Sequence, residues 1–111
     1  MDAAPRISII IPAYNEERTI HLILDKVRDA VLNHGIAKEV IIVNDGSKDG
    51  TPDAVRRYME ANPGMGIRFI EQPRNMGKGA AIHRGIKEAT GEYLLVQDLS
   101  LIHISEPTRP Y

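Results

Sequence analysis

The segment Val40–Thr51, which reads Val-Ile-Ile-Val-Asn-Asp-Gly-Ser-Lys-Asp-Gly-Thr, decides the fold of this chain. Its first four residues are all apolar and β-branched, as expected for a parallel strand that is covered on both faces. The chain then turns at residues 44–47, which leaves Asp45 at the carboxyl end of the strand. A helix is predicted to follow, with Thr51 as its N-cap and Pro52 at its first position. Because open α/β sheets bind ligands at the carboxyl ends of their strands, Asp45 is a candidate binding residue.

Strands and helices are predicted to alternate on both sides of this segment. Further strands are expected at Ile7–Ile11, Ile67–Glu71 and Tyr93–Gln97, and helices at about residues 16–33, 52–61 and 77–90. The order β-α-β-α-β-α-β predicts an α/β fold with a Rossmann-like parallel sheet and right-handed crossovers. The expected strand order is 3-2-1-4, which is one doubly wound half.

Several local features of these elements are also predicted. The first strand should stop at Pro12, because proline cannot donate a hydrogen bond to a central strand. Asn15 is the expected N-cap of the first helix. Helical spacing of Ile82, Ile86 and Ala89 predicts the buried stripe of the third helix.

The composition excludes several classes of protein. The chain has 111 residues with 42% hydrophobic and 26% charged residues, which is ordinary for one small globular domain. Its net charge of −1 gives no reason to expect a nucleic acid partner. It contains no cysteine, which excludes disulfides and thiolate metal sites and fits a reducing, cytoplasmic location. No apolar run reaches the ~18 residues of a membrane span, so no transmembrane segment is expected.

The pattern of strands and helices breaks after Asp98. Residues 99–111 contain two prolines among the last five residues and cannot supply another strand–helix unit. We therefore expect a domain at residues 1–98 and a tail at residues 99–111 that does not belong to the fold. The tail resembles translated sequencing-adapter sequence, so the natural protein is expected to be longer.

Three acidic residues follow strands that are neighbours, or nearly so, in the expected sheet. They are Glu16, Asp45 and Asp98. Carboxylates at such an edge can accept hydrogen bonds from a base or a ribose, or hold a hard divalent cation beside a diphosphate. The alternative is local: Glu16 favours a helix start, and Asp45 makes a turn. Asp49 is interpreted as a turn residue whose side chain bonds the local backbone.

Four motifs occur in order along the chain. They are Ile-Ile-Ile-Pro-Ala-Tyr-Asn-Glu-Glu at Ile9–Glu17, Val-Asn-Asp-Gly-Ser-x-Asp-Gly-Thr at Val43–Thr51, Asn-x-Gly-Lys-Gly-x-Ala at Asn75–Ala81 and Thr-Gly-Glu-Tyr at Thr90–Tyr93. Together they resemble the family 2 glycosyltransferases, in the branch that is similar to dolichol-phosphate mannosyltransferases and bacterial polyprenyl-phosphate glycosyltransferases. The resemblance covers about residues 6–98. It implies a GT-A fold, truncated here after the fourth strand, and inverting transfer of a sugar from a nucleotide-diphosphate donor.

The resemblance also implies roles for particular residues. The nucleotide-sugar would be bordered or contacted by Pro12, Tyr14, Glu16, Val43, Asp45 and Asp98. Val43 and Asp45 would contact the base, whereas Asp98 would bind the ribose and the Mg²⁺ or Mn²⁺ cofactor. Independently of the family, Tyr14 can stack on a base or pack against the first helix, and Lys78 can meet a diphosphate at a helix N-terminus or remain solvated.

The chain departs from the family pattern directly after Asp98. Leu99 and Ser100 stand where the family has a residue followed by a second aspartate, and serine is a poor ligand for a hard cation. The resemblance implies that the catalytic residues and the acceptor site, for a polyprenyl phosphate at the cytoplasmic face of a membrane, lie beyond this chain. We therefore expect the chain alone to lack transferase activity. A non-catalytic nucleotide-binding module and an inactive truncated product remain the alternatives.

Overall fold

A computed structural model of the chain describes residues 7–34, 38–91 and 93–97. Its elements are β1 (Ile7–Ala13), α1 (Ile20–His34), β2 (Lys38–Asn44), α2 (Thr51–Ala61), a 3₁₀ turn (Pro63–Met65), β3 (Ile67–Glu71), α3 (Lys78–Glu88) and β4 (Tyr93–Val96). The predicted α/β fold and its element order are confirmed. Asp98 and the predicted domain boundary after it lie outside the described residues.

The four strands form one parallel sheet in the order β3-β2-β1-β4, as predicted. β1 and β2 are central, β3 pairs with β2, and β4 pairs with β1. The side chains of residues 40–43 are completely buried, which is what their continuous β-branched run predicts for a strand covered on both faces. Because all strands run in the same direction, their carboxyl ends lie along one edge of the sheet.

β1 is longer than predicted, because Pro12 does not end it; the strand pairs with β2 as far as Ala13. The carbonyl of Ala13 accepts a hydrogen bond from the Asp45 N–H at 2.8 Å, on the β2 side. The carbonyl of Ile10 accepts one from the Gln97 N–H at 2.9 Å, on the β4 side. Backbone groups of successive residues alternate between the two sides, so Pro12 faces the β4 side, where pairing goes no further than Ile10. Its missing N–H therefore removes no hydrogen bond from the described sheet.

The helices pack on both faces of the sheet. α1 and α2 share one face and enclose the larger core, whose fully or nearly fully buried members include Ile9, Ile11, Ile20, Ile23, Leu24, Val27, Val40, Ile42 and Val55. α3 covers the other face above β1 and β2, where Ala81 packs with Ile41 and Val43. The core is aliphatic, as the absence of tryptophan and the single phenylalanine require.

The first two helices begin at different residues from those predicted. α1 begins at Ile20 rather than at about residue 16, and a turn lies between them. Asn15 is not the N-cap: its φ of 52° is left-handed, and its groups bond another loop. In α2 the N-cap is Gly50, and Thr51 is the first helical residue, completely buried. In each case contacts to a distant segment replace the expected local cap.

The buried stripe of α3 also differs from the prediction. Ile86 is 42% exposed, whereas Ala81 and Gly85 are buried. A Cβ at Gly85 would lie 2.5 Å from a methyl carbon of Ile10, so the helix axis comes unusually close to β1. Ala81 and Gly85 lie four positions apart on one face of α3, and this face packs against the sheet instead of the predicted isoleucine stripe.

Within the described ranges, no helix is both long enough and apolar enough to cross a bilayer.

Candidate functional site

A cavity of about 270 Å³ lies at the carboxyl ends of β1 and β2. Three segments form it: the end of β1 with the turn that follows, the end of β2, and the loop that leads into α3. The lining residues are Pro12, Ala13, Tyr14, Glu16, Asp45, Asn75, Gly77 and Lys78. The structure thus brings together five of the residues that the sequence singled out, from three motifs that are far apart in the chain.

Asp45 joins the end of β2 to the loop before α3. It is only 3% exposed, and its carboxylate accepts hydrogen bonds from the backbone N–H groups of Met76 at 2.8 Å and Gly77 at 3.0 Å. The side-chain amide of Asn75 donates to the same carboxylate at 3.2 Å. Hydrogen bonds to a charged acceptor are about twice as strong as those between neutral groups. The Asp45 carboxylate therefore holds the loop before α3 firmly against the end of β2.

Gly46 allows that fastening because the two loops nearly touch beside it. Its φ of 71° is left-handed, which a residue with a side chain rarely adopts. A Cβ at this position would lie 2.3 Å from the backbone nitrogen of Asn75 and 2.4 Å from the carbonyl carbon of Arg74. Backbone atoms cannot move aside as a side-chain end can, so glycine is required for both reasons.

Tyr14 and Glu16 form the rim of the cavity on the β1 side. Tyr14 is 39% exposed, with its ring available to a ligand. The Glu16 N–H donates to the Thr51 hydroxyl at 2.8 Å, and the Glu16 carboxylate accepts a hydrogen bond from Thr19 at 2.7 Å. The Glu16 carbonyl accepts the Ile20 N–H at 2.9 Å, which leads the chain into α1. The rim is therefore fixed both to the start of α1 and to the start of α2.

The other predicted site residues occupy different positions. Lys78 lines the cavity as the exposed first residue of α3, at the helix end whose dipole attracts anions. Val43 does not line it: its side chain is completely buried and packs with Ile41 and Ala81 beneath α3. Asp98 lies outside the described residues.

Sequence reasoning did not single out Ala13, Asn75 and Gly77 as lining residues. Asn75 and Gly77 belong to the third motif, and their regular spacing before Lys78 was the available signal. That signal could not show that Asn75 bonds Asp45, because the two residues are 30 positions apart and meet only through the pairing of β2 with β3.

A second polar cluster lies at the opposite, amino edge of the sheet around Glu39 of β2. The Glu39 carboxylate accepts hydrogen bonds from the Ser8 hydroxyl at 2.6 Å and from the N–H and hydroxyl of Thr90 at 2.6 and 2.8 Å. The guanidinium of Arg68, on β3, lies 3.4 Å from Oε1 of Glu39. Burial by itself raises the pKa of Glu39, but these hydrogen bonds outweigh it and lower the pKa to about 2. The cluster fastens the segment that enters β4, since the Gly91 N–H also donates to Ser8 at 2.8 Å.

Comparison with known proteins identifies the family. The family model described as Glycosyl transferase family 2 matches residues 8–103. The chain belongs to this family. The match continues five residues into the segment that was predicted to be a foreign tail.

Two relatives of this chain illustrate the similarity. A dolichyl-phosphate beta-glucosyltransferase of Trichomonas vaginalis is 42% identical over 96 residues, which cover 82% of this chain and 28% of that protein. A dodecaprenyl-phosphate galacturonate synthase of Rhizobium johnstonii is 33% identical over 92 residues, which cover 83% of this chain and 27% of that protein. The chain therefore spans less than a third of the length of these relatives.

Solved structures of glycosyltransferases share the fold. The mannosyltransferase PcManGT of Pyrobaculum calidifontis, solved with GDP-Man and Mn²⁺, superposes with a TM-score of 0.75 at 34% identity, covering 87% of this chain and 28% of that one. TarS of S. aureus, residues 1–349 with UDP-GlcNAc, gives a TM-score of 0.71 at 28% identity, covering 85% of this chain and 26% of that one. The GT-A fold predicted for this chain is thus confirmed.

PcManGT was solved in complex with Mn²⁺, which raises the question of metal ligands in this chain. Within the described ranges, no group of three histidine, cysteine, aspartate or glutamate side chains is arranged to hold a metal ion. Both carboxylate oxygens of Asp45 already accept N–H groups. The described residues alone therefore do not fit a metal centre.

Proposed function

We propose that this chain forms the donor-binding part of a glycosyltransferase that moves a sugar from a nucleotide diphosphate to a polyprenyl phosphate. The observation that carries the proposal is the cavity of about 270 Å³ at the carboxyl edge of the sheet. It combines an exposed aromatic ring, two carboxylates and a lysine at a helix N-terminus. These are groups that suit a base, N–H or hydroxyl donors, and a diphosphate, respectively.

Each lining residue has a proposed role that its geometry supports. Tyr14 stacks on the base, because its ring is exposed at the rim. An ionised carboxylate has about four acceptor positions, so Asp45 keeps one for a base N–H after bonding the loop before α3. Lys78 neutralises part of the diphosphate charge. A base contact by Val43 would use its main chain, since its side chain is fully buried.

The acceptor and the cofactor rest on the relatives. Two of these are named dolichyl-phosphate beta-glucosyltransferase and dodecaprenyl-phosphate galacturonate synthase, which supports a polyprenyl phosphate acceptor and a reaction at a membrane surface. By motif resemblance Asp98 is proposed to contact the ribose and a divalent cation. No reaction step is assigned to the cation, because the described residues do not form its site. No catalytic base is assigned among the described residues.

Titration calorimetry of the 111-residue chain with UDP and with GDP, each with Mn²⁺ or with EDTA, tests the donor-binding role. We expect one of the two nucleotides to bind. Tyr14→Ala should weaken that binding by about five-fold or more, because base–aromatic stacking contributes ~1–3 kcal/mol, whereas Tyr14→Phe should retain it. Leu22→Ala removes a similarly exposed apolar side chain, 41% exposed on α1 and outside the cavity lining, and should have no effect.

The outcomes separate the alternatives. If neither nucleotide binds to a folded chain, the proposal is wrong. Nucleotide binding that is the same with Mn²⁺ and with EDTA would favour a non-catalytic nucleotide-binding module over a metal-dependent transferase. Equal losses in Tyr14→Ala and Leu22→Ala would exclude stacking by Tyr14 and move the binding site away from this cavity.

A further inference from the structure

The turn that carries Tyr14 and Glu16 has no regular secondary structure of its own. It lies between the end of β1 at Ala13 and the start of α1 at Ile20. Its conformation includes the left-handed φ of 52° at Asn15, a region that is uncommon for residues with a side chain and that asparagine adopts more readily than most of them. Besides the local bonds of Glu16 to Thr19 and Ile20, contacts to another part of the chain hold this turn in place.

Those contacts come from residues 47–51, the loop between β2 and α2. The backbone N–H groups of three consecutive residues, 15, 16 and 17, donate to three side-chain oxygens of this loop: Ser47 Oγ at 2.8 Å, Thr51 Oγ1 at 2.8 Å and Asp49 Oδ2 at 3.3 Å. In return, the Asn15 side chain accepts the Lys48 N–H at 2.8 Å, and Glu17 accepts the Gly50 N–H at 3.1 Å. We call these five hydrogen bonds the loop clamp.

Asp49 occupies the centre of the loop clamp. Its Oδ2 accepts the Glu17 N–H, while its Oδ1 accepts both the backbone N–H of Thr51 at 2.9 Å and the Thr51 hydroxyl. The Thr51 hydroxyl in turn accepts the Glu16 N–H. The Asp49 carboxylate is thus one of the three groups that accept an N–H from the turn, and it orients a second one, the Thr51 hydroxyl. Burial raises the pKa of Asp49, but hydrogen bonds from Thr51 and Glu17 outweigh it and lower the pKa, as for a carboxylate held in its charged form.

We propose that Asp49 is a positioning residue for nucleotide binding: through the loop clamp it holds Tyr14 and Glu16 in place at the rim of the cavity. This inference rests on the proposed nucleotide-binding function. Asp49 does not line the cavity and touches no proposed ligand, so its effect passes entirely through the turn. The local interpretation of Asp49 as a turn residue is therefore incomplete, because its bond to Glu17 spans 32 positions in the sequence.

The variant Asp49→Asn tests this role, because it keeps the shape and replaces one accepting oxygen by an NH₂ group that faces a donor. The matched control is Asp53→Asn, which makes the same chemical change at a carboxylate 73% exposed in the first turn of α2. We expect Asp49→Asn to weaken binding of UDP or GDP by about ten-fold, and Asp53→Asn to leave it unchanged. Amide hydrogen exchange of Glu16 and Glu17 should become faster in Asp49→Asn only, while that of Asp45, which donates to Ala13, should not change.

A double-mutant cycle separates positioning from general loss of stability. If Asp49 acts through Tyr14, the substitution Asp49→Asn should weaken nucleotide binding much less in a Tyr14→Ala background than in the original chain. A loss that is the same size in both backgrounds would overturn the proposal, as would an Asp49→Asn chain that binds as tightly as the original. Failure of the unsubstituted chain to bind either nucleotide is a different result: it refutes the nucleotide-binding function, and the inference with it.

Discussion

Replacing Glu39 by glutamine should destabilise the fold without touching the cavity. The substitution keeps the shape of the side chain but removes the negative charge that accepts hydrogen bonds from Ser8 and Thr90. The fall in the pKa of Glu39 from 4.5 to about 2 corresponds to at most ~3 kcal/mol of folding free energy, at about 1.4 kcal/mol per pKa unit. The side chain is 16% exposed and Arg68 is 42% exposed, so screening by water reduces this, and we expect a loss of ~2 kcal/mol at neutral pH.

The pH dependence of this loss has a definite sign. The pKa of Glu39 is lower in the folded chain than in the unfolded one, so its contribution is fully present above pH 4.5 and is lost as the pH falls through about 2. The difference in the free energy of unfolding between the original chain and Glu39→Gln should therefore be constant at neutral pH. It should shrink progressively below pH 4.5.

Urea unfolding followed by circular dichroism, at neutral pH and in steps down to about pH 3, measures this difference. In thermal unfolding at neutral pH, the same loss of ~2 kcal/mol should lower the unfolding temperature by roughly 8–16 °C for a domain of this size. Glu60→Gln, which makes the same change at an exposed position of α2, should have almost no effect. A difference that stays constant down to pH 3, or one no larger than that of Glu60→Gln, would refute the reasoning.

Two further predictions concern a close contact between loops and a contact between helices. Gly46→Ala places a Cβ 2.3 Å from the Asn75 backbone nitrogen at a φ of 71° and should lower the free energy of unfolding by ~3 kcal/mol or more. In the control variant Gly79→Ala the new Cβ meets nothing within 4 Å, so the free energy of unfolding should change by ~0.5 kcal/mol or less, in either direction. Equal unfolding temperatures of the two variants would contradict the close approach of the loops at Gly46. Tyr58→Phe removes a hydrogen bond of 2.7 Å from α2 to Asp25 of α1 and should lower the free energy of unfolding by ~1 kcal/mol. Because burial and the bond to Asp25 raise the pKa of Tyr58 to about 12, this contribution is complete below pH 10 and is lost between pH 10 and about 12. An ultraviolet titration should therefore show a tyrosine with a pKa of about 12 in the original chain, and finding the same component in Tyr58→Phe would rule out this assignment.

Much of the fold could be predicted because it depends on which residues are apolar and how they are spaced. The β-branched run at Val40–Val43 predicted a buried central strand, and all four side chains are completely buried. β3 has the predicted bounds, and the strand order 3-2-1-4 follows from the order of the elements and the handedness of their crossovers. The same reasoning placed Glu16 and Asp45 at one edge of the sheet, where they now line one cavity.

The wrong predictions were those that assumed a local reason for each polar or special residue. Pro12 was expected to end β1, but whether a missing N–H matters depends on which side of the strand it faces and how far the neighbouring strand extends. Asn15 and Thr51 were expected to be helix caps, but both bond segments more than 30 positions away. Ile86 was expected in the core, but Gly85 lets α3 approach the sheet along a different line.

The sequence by itself determined the architecture and the edge at which the cavity forms, because burial of apolar side chains is a property of each residue and its period along the chain. Only the tertiary structure decided that Asp45 holds the loop before α3, that Asp49 holds the turn after β1, and that Glu39 fastens the entry to β4. The physical reason is that a hydrogen bond requires two groups within about 3 Å in a suitable direction. For partners some 30 to 50 positions apart, the register of the strands and the approach of the helices set that geometry.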